Sequence, residues 1–291
     1  MLRWRLEGAV MIDSIIRSID NIPAFPATIQ RVVELLSNDD YAVDDLVNVI
    51  KFDQAVTANI LKISNSAYFG VRQKIRTIHD AVIYLGQQQL IRAVQTAGIS
   101  KFFKKGSGGY ANKAKSLWEH SVAVGLMSQI FSRKLLLRED PVLYTSALLH
   151  DVGKIIMGEY VHESFEQIIS RVMNQKCSFL EAEEAVLGIN HAELGGRIAA
   201  RWNFPMEIRD AIAFHHRPDL LMAASNNHAW LVYLSDQACL MYGIDGGIDA
   251  LAYHGLEEVM RYFNLRTIDL EKSFITLHDE LAIAKEFIDI M

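Results

Sequence analysis

The chain of 291 residues is poor in cysteine and proline, with two and five respectively, and it carries no excess of positive charge. Cys177 and Cys239 each lie in an apolar-looking segment, so they read as two reduced, buried thiols and not as the disulfide framework of a secreted domain. That reading places the chain in the cytoplasm. Lysine and arginine total 29 against 35 aspartate and glutamate, a formal net charge of −6. The broad positive field needed to hold nucleic acid or an anionic membrane is missing, so neither is expected as a partner. No stretch approaches 18 uninterrupted apolar residues, and the first ten residues are broken by Arg3, Arg5 and Glu7, so neither a membrane span nor an export signal is expected.

What remains is a chain in which apolar residues return every three or four positions, as in Ile29, Val32, Val33, Leu35 and Leu36. With few Asn-Gly or Asp-Gly turns, this periodicity predicts an all-α protein. Helices are expected over 43–52, 55–64, 77–85 and 87–104, then over 111–136, 141–157, 165–175, 179–187, 191–202, 205–214 and 229–242, with a last pair over 248–263 and 269–290. The stretch Lys104-Lys105-Gly106-Ser107-Gly108-Gly109 is the best linker, because its glycines, serine and charges cannot build a core. It divides the chain into an N-terminal helical subdomain, 1–105, and a second, more apolar helical subdomain, 106–291.

Histidine carries the chemical signal. His120 follows Trp118-Glu119, the pair His150-Asp151 interrupts the apolar run Ala147-Leu148-Leu149 and is followed by Val152-Gly153-Lys154, His191 opens a helix, His215-His216 end one, and Asp236 breaks the run from Leu231 to Ser235. A lone histidine in a helix is ordinarily a hydrogen-bonded core or surface residue. Several imidazoles and carboxylates set into apolar helices are different, because burying them is costly unless they are paired, hydrogen-bonded or bound to metal. Imidazole with carboxylate favours a divalent transition metal such as iron, manganese, nickel or zinc over calcium. Lys154, three residues after Asp151 and four after His150, shares their helix face and can meet a metal-held phosphate. His79, His162, His228, His254 and His278 lie in polar or terminal contexts and read as surface residues, and the basic run 101–105 reads as a solvated helix end.

The order His120, His150-Asp151, His191, His215-His216, Asp236 resembles the HD superfamily of metal-dependent phosphohydrolases, and its extra histidines resemble the two-metal cyclic-dinucleotide phosphodiesterase branch. The resemblance implies one ion on His120, His150, Asp151 and Asp236, with Asp151 bridging to a second on His191, His215 and His216. It also implies catalytic roles for Asp151 and Lys154, the lysine contacting the scissile phosphate. The first part of the chain narrows the likeness. Ile22-Pro23-Ala24-Phe25-Pro26, Val49-Ile50-Lys51-Phe52-Asp53, Asn65-Ser66-Ala67-Tyr68-Phe69-Gly70 and Ala81-Val82-Ile83-Tyr84-Leu85-Gly86 resemble the HDOD family of HD-related output domains.

Together the likeness covers roughly residues 20–240 and implies a multi-helix HD-like bundle preceded by a smaller helical bundle, serving bacterial signal transduction, usually without catalysis. Two departures stand out. All seven ligand positions are kept, whereas members of this family commonly lose them. The phosphodiesterase run ending in Gly-Tyr-Pro is absent, Arg217-Pro218-Asp219-Leu220 following the histidine pair, and Ser116 stands where an acidic residue often precedes the first histidine. Three functions are therefore expected in competition: a signalling module with one or two metal ions and a protein partner, a phosphohydrolase acting on a nucleotide or cyclic dinucleotide, and a sensor that binds such a ligand without cleaving it.

Overall fold

The computed structural model describes residues 12–37, 40–65, 74–103, 114–137, 140–175, 177–221, 227–244 and 256–288. Every regular element among them is helical, as the periodicity predicts, and none of these helices is long and apolar enough to cross a membrane. After a helical segment at 12–18 come α1 (Ala27–Leu36), α2 (Val43–Ile50), α3 (Gln54–Ser64), α4 (Ile78–Leu85) and α5 (Gln87–Phe103). The remainder is α6 (Ala114–Lys134), α7 (Pro141–Leu149), α8 (Val152–Gln175), α9 (Phe179–Leu187), α10 (His191–Arg201), α11 (Met206–Ala213), α12 (Asn227–Tyr242), α13 (Leu256–Tyr262) and α14 (Thr267–Ile288). The linker at 104–109, His254 and the string 66–70 lie outside the described residues.

Local chemistry sets many boundaries. Asp53 accepts the amide hydrogens of Ala55 and Val56 at the start of α3, and Thr77 accepts that of Asp80 at the start of α4. Ser178 and Glu181 close a capping box on α9, and Gly188, at φ 81°, ends it in the left-handed conformation that glycine adopts without strain. Asn65 shows why an asparagine begins its string: its side-chain amide donates to the carbonyls of Leu61 and Ile75, and its oxygen accepts from the Ile75 amide at 2.8 Å.

The Ile-Pro-Ala-Phe-Pro segment fastens the first part of the chain to the second. Phe25 lies 5.4 Å from Phe102, 4.9 Å from Trp202 and 4.8 Å from Phe204 between ring centres, and the Trp202 indole donates to the Pro23 carbonyl at 3.1 Å. Helix α14 closes the bundle, with Glu280 paired to Arg92 of α5 and Arg133 of α6.

The expected helix over 141–157 is in fact two. Helix α7 stops at Leu149, the chain turns at His150-Asp151, and α8 continues without interruption through the separate helix expected at 165–175. The periodicity could not mark this break, because α7 is buried from Val142 to Leu149 and has no polar face. Asp140 caps α7, accepting the Val142 amide at 2.8 Å, with Pro141 in the first turn where no amide hydrogen is needed. Its other oxygen meets His228 at 2.6 Å, so His228, expected at the surface, is half-buried against a helix cap. Asp140→Ala is expected to lower stability by about 1–2 kcal/mol, read as a reduced urea midpoint; an unchanged midpoint would remove the cap from this account. Cys239 is buried as expected, burial pushing its thiol well up, whereas Cys177 is only partly covered.

Candidate metal centre

The break after α7 matters because it turns His150 and Asp151 together toward residues of α6, α10 and α12 and of the turn after α11. His120 reaches them from α6, His191 from the first turn of α10, His215 and His216 from the turn after α11, and Asp236 from the centre of α12. Asp151 stands at the hub. Its Oδ2 lies 3.3 Å from His150 Nε2, 4.0 Å from His120 Nε2 and 2.7 Å from Lys154 Nζ, while its Oδ1 lies 3.5 Å from His191 Nε2 and 3.7 Å from His215 Nε2. Asp236 completes one side, 3.1 Å from His120, and His216 completes the other, its Nε2 2.9 Å from that of His191. The seven ligand candidates named from the sequence thus converge: His120 and His150 in one group and His191, His215 and His216 in another, Asp151 being common to both, with Asp236 against His120.

Four of the five histidines are aimed by their other nitrogen. The Nδ1–H groups of His120, His150 and His215 donate to the carbonyls of Ile244, Ala147 and Ile212 at 2.9, 2.7 and 2.7 Å. That of His191 donates to the Glu183 carboxylate at 2.8 Å. In a neutral ring this leaves Nε2 as a bare lone pair facing inward. Glu183 is a residue of the buried cluster that the sequence reading did not single out. It is buried in the same stripe of α9 as Phe179, Leu180 and Leu187, and a carboxylate on the apolar phase of an amphipathic helix is the signal that would have exposed it.

The electrostatics around His215 and His216 suit a cation. Burial, reinforced by the nearby His150, pushes His215 down to about 3, and burial with His215 beside it holds His216 well below the usual imidazole range, so both are neutral near pH 7. Burial works against charge on Asp151 and Asp236. His150 and Lys154 nevertheless hold the Asp151 carboxyl well below its ordinary value, and His120 lowers that of Asp236.

The residues fit a metal. Nε2 of His150, Nε2 of His215 and Oδ1 of Asp151 are buried and make no hydrogen bond. Such atoms are costly in a core and are the atoms a metal would take up. Two nitrogens at 2.9 Å need a shared proton or a shared cation, and donors bound at right angles about 2.1 Å from an ion stand about 3 Å apart. Close packing of backbone makes the convergence possible. A Cβ on Gly153 would lie 1.9 Å from the His191 carbonyl oxygen, so α8 and α10 meet only because that position is glycine.

The HDOD domain family model matches residues 22–218, a span holding the described anchor Asn65 and six of the seven converging residues. The chain belongs to the HDOD family. An HDOD protein of unknown function from Geobacter sulfurreducens superposes with a TM-score of 0.71 at 24% identity, over 98% of this chain and 96% of its own. A Marinobacter aquaeolei protein provisionally named for signal transduction gives 0.70 at 20% identity, over 98% of this chain and 65% of that one. At those identities the likeness is one of fold. An uncharacterised Treponema pallidum protein is 25% identical over 207 residues, 70% of this HDOD chain but only 39% of that relative's length.

Proposed function

We propose that this HDOD chain is a signal-transduction output module that holds divalent transition metal in an enclosed centre and presents the resulting helix arrangement to a protein partner. The observation that carries the reading is the set of buried, unbonded lone pairs on His150, His215 and Asp151, within a ring of ligands in which only His216 is partly exposed. A centre so enclosed suits an ion that fastens helices more than one that admits a phosphodiester. The donor set of five imidazoles and two carboxylates, without thiolate, points to iron, manganese, nickel or zinc. The division into an N-terminal helical subdomain, 1–105, and an HD-like one, 106–291, belongs to the same proposal, with cytoplasmic residence and no nucleic-acid or membrane partner.

One observation favours a second reading, a metal-dependent phosphohydrolase acting on a nucleotide or cyclic dinucleotide. Asp151 offers one oxygen to each ligand group, and Lys154 lies within 2.7 Å of it. Bound ions would supply Lewis acidity and a more acidic water. Asp151 would hold the two ions together, and Lys154 would offset phosphate charge by turning from the carboxylate. The readings part in an assay of metal-loaded protein against bis(p-nitrophenyl) phosphate, nucleotides and cyclic dinucleotides. The signalling reading predicts no turnover above that of the Asp151→Asn variant; turnover that this variant loses would establish the hydrolase instead.

A further inference from the structure

The two groups of ligands are anchored differently. In the first, His120 and His150 are held by backbone carbonyls, those of Ile244 and Ala147. In the second, His215 is likewise held by the Ile212 carbonyl, but His191 is held by a side chain of another helix. Glu183 of α9 is fully buried, and its Oε2 accepts both the Nδ1–H of His191 at 2.8 Å and the His191 backbone amide at 3.0 Å. Its neighbour Glu184 grips the same region from outside. It pairs with Arg217 at 2.6 Å, the residue after His216, and accepts from the side-chain amide of Asn190, the residue before His191. Of two consecutive carboxylates of one short helix, one therefore holds His191 itself and the other the residues next to His191 and His216, whose Nε2 atoms stand 2.9 Å apart.

We infer that Glu183 is the positioning residue of the second metal half-site, and that Glu184 with Asn190 and Arg217 is an outer latch, so that the placement of α9 sets the occupancy of that half-site separately from the first. This rests on the metal-holding reading above. A carboxylate behind a ligating imidazole fixes its tautomer and raises its basicity, and loss of such a partner typically weakens metal binding about 10–100-fold. The exposed latch contributes less. Anything that shifts α9 turns His191 and the 215–217 turn together, while His120 and His150 keep their backbone anchors.

The test is a stepwise titration of the chelator-treated full chain with cobalt(II), followed by its visible absorption. Wild type is expected to take up two ions. In Glu183→Gln, which keeps the shape and an acceptor for the His191 amide but loses the charge, the second step is expected to weaken about 10–100-fold and the first to stay within twofold. Arg217→Ala, on the surface, is expected to weaken the second step alone by about twofold to fivefold, the range of an exposed ion pair. That variant keeps the test alive if Glu183→Gln does not fold. A purely structural role for Glu183 would lower thermal stability and leave the separation between the two steps unchanged. Steps unchanged from wild type in both variants, or equal weakening of both steps, overturns the inference. Absence of cobalt uptake by wild type overturns instead the metal reading on which it stands.

Discussion

Replacing Asp151 by asparagine is expected to abolish uptake of both ions and to destabilise the metal-free chain by about 3 kcal/mol, the lower end of the cost of removing one partner from a buried ion pair. Asp151 is the one residue common to the two ligand groups, and each of its oxygens faces a different pair of imidazoles. An asparagine keeps the volume but brings no charge, and its amide nitrogen has no lone pair to offer an ion. It also removes the carboxylate from Lys154, which is 3% exposed and 2.7 Å away. Because the folded state holds the Asp151 carboxyl below its unfolded value, the lost stabilisation is present near neutral pH and disappears as pH falls through the acid range. Metal analysis and urea denaturation of the same preparation read both effects; a variant that keeps its ions would contradict the hub assignment.

Gly153→Ala should be nearly as damaging although it touches no ligand atom. Its new methyl would lie 1.9 Å from the His191 carbonyl oxygen and 2.9 Å from the Gly195 amide nitrogen, and backbone cannot step aside as a side chain can. Helix α8 must move away from α10, which draws His191 from Asp151. The expected cost is about 3 kcal/mol, the upper part of the overpacking range, together with loss of the second ion. Gly195→Ala is the informative control. There the methyl meets a side-chain methyl of Ile212 at 2.8 Å, which can shift, so the expected loss is smaller, about 1 kcal/mol. Equal denaturation midpoints for the two variants would contradict the close-packing argument.

Much of this was legible in the residues, and what was not has a physical cause. Helix α9 falls on its expected bounds because Ser178, Glu181 and Gly188 mark both ends chemically. The seven converging residues were legible as polar groups in apolar helices, where each imposes a cost that something must offset. The break at His150-Asp151 was not. It follows a helix buried from Val142 to Leu149, and tertiary packing across Gly153 decides it. Glu183 escaped because its value lies in a partner eight residues away that only folding brings within 2.8 Å. His228 escaped likewise, since its polar neighbours in sequence say nothing of Asp140 at the far end of α7.

The most direct test of the central claim is the transition-metal content of protein purified without chelator, measured by elemental analysis beside His150→Ala and His216→Ala. The account predicts about two equivalents per chain in wild type, with less in each variant, because each removes a ligand from a different half-site. Wild-type protein with no transition metal, even after incubation with iron(II), manganese(II), nickel(II) and zinc(II), would contradict it.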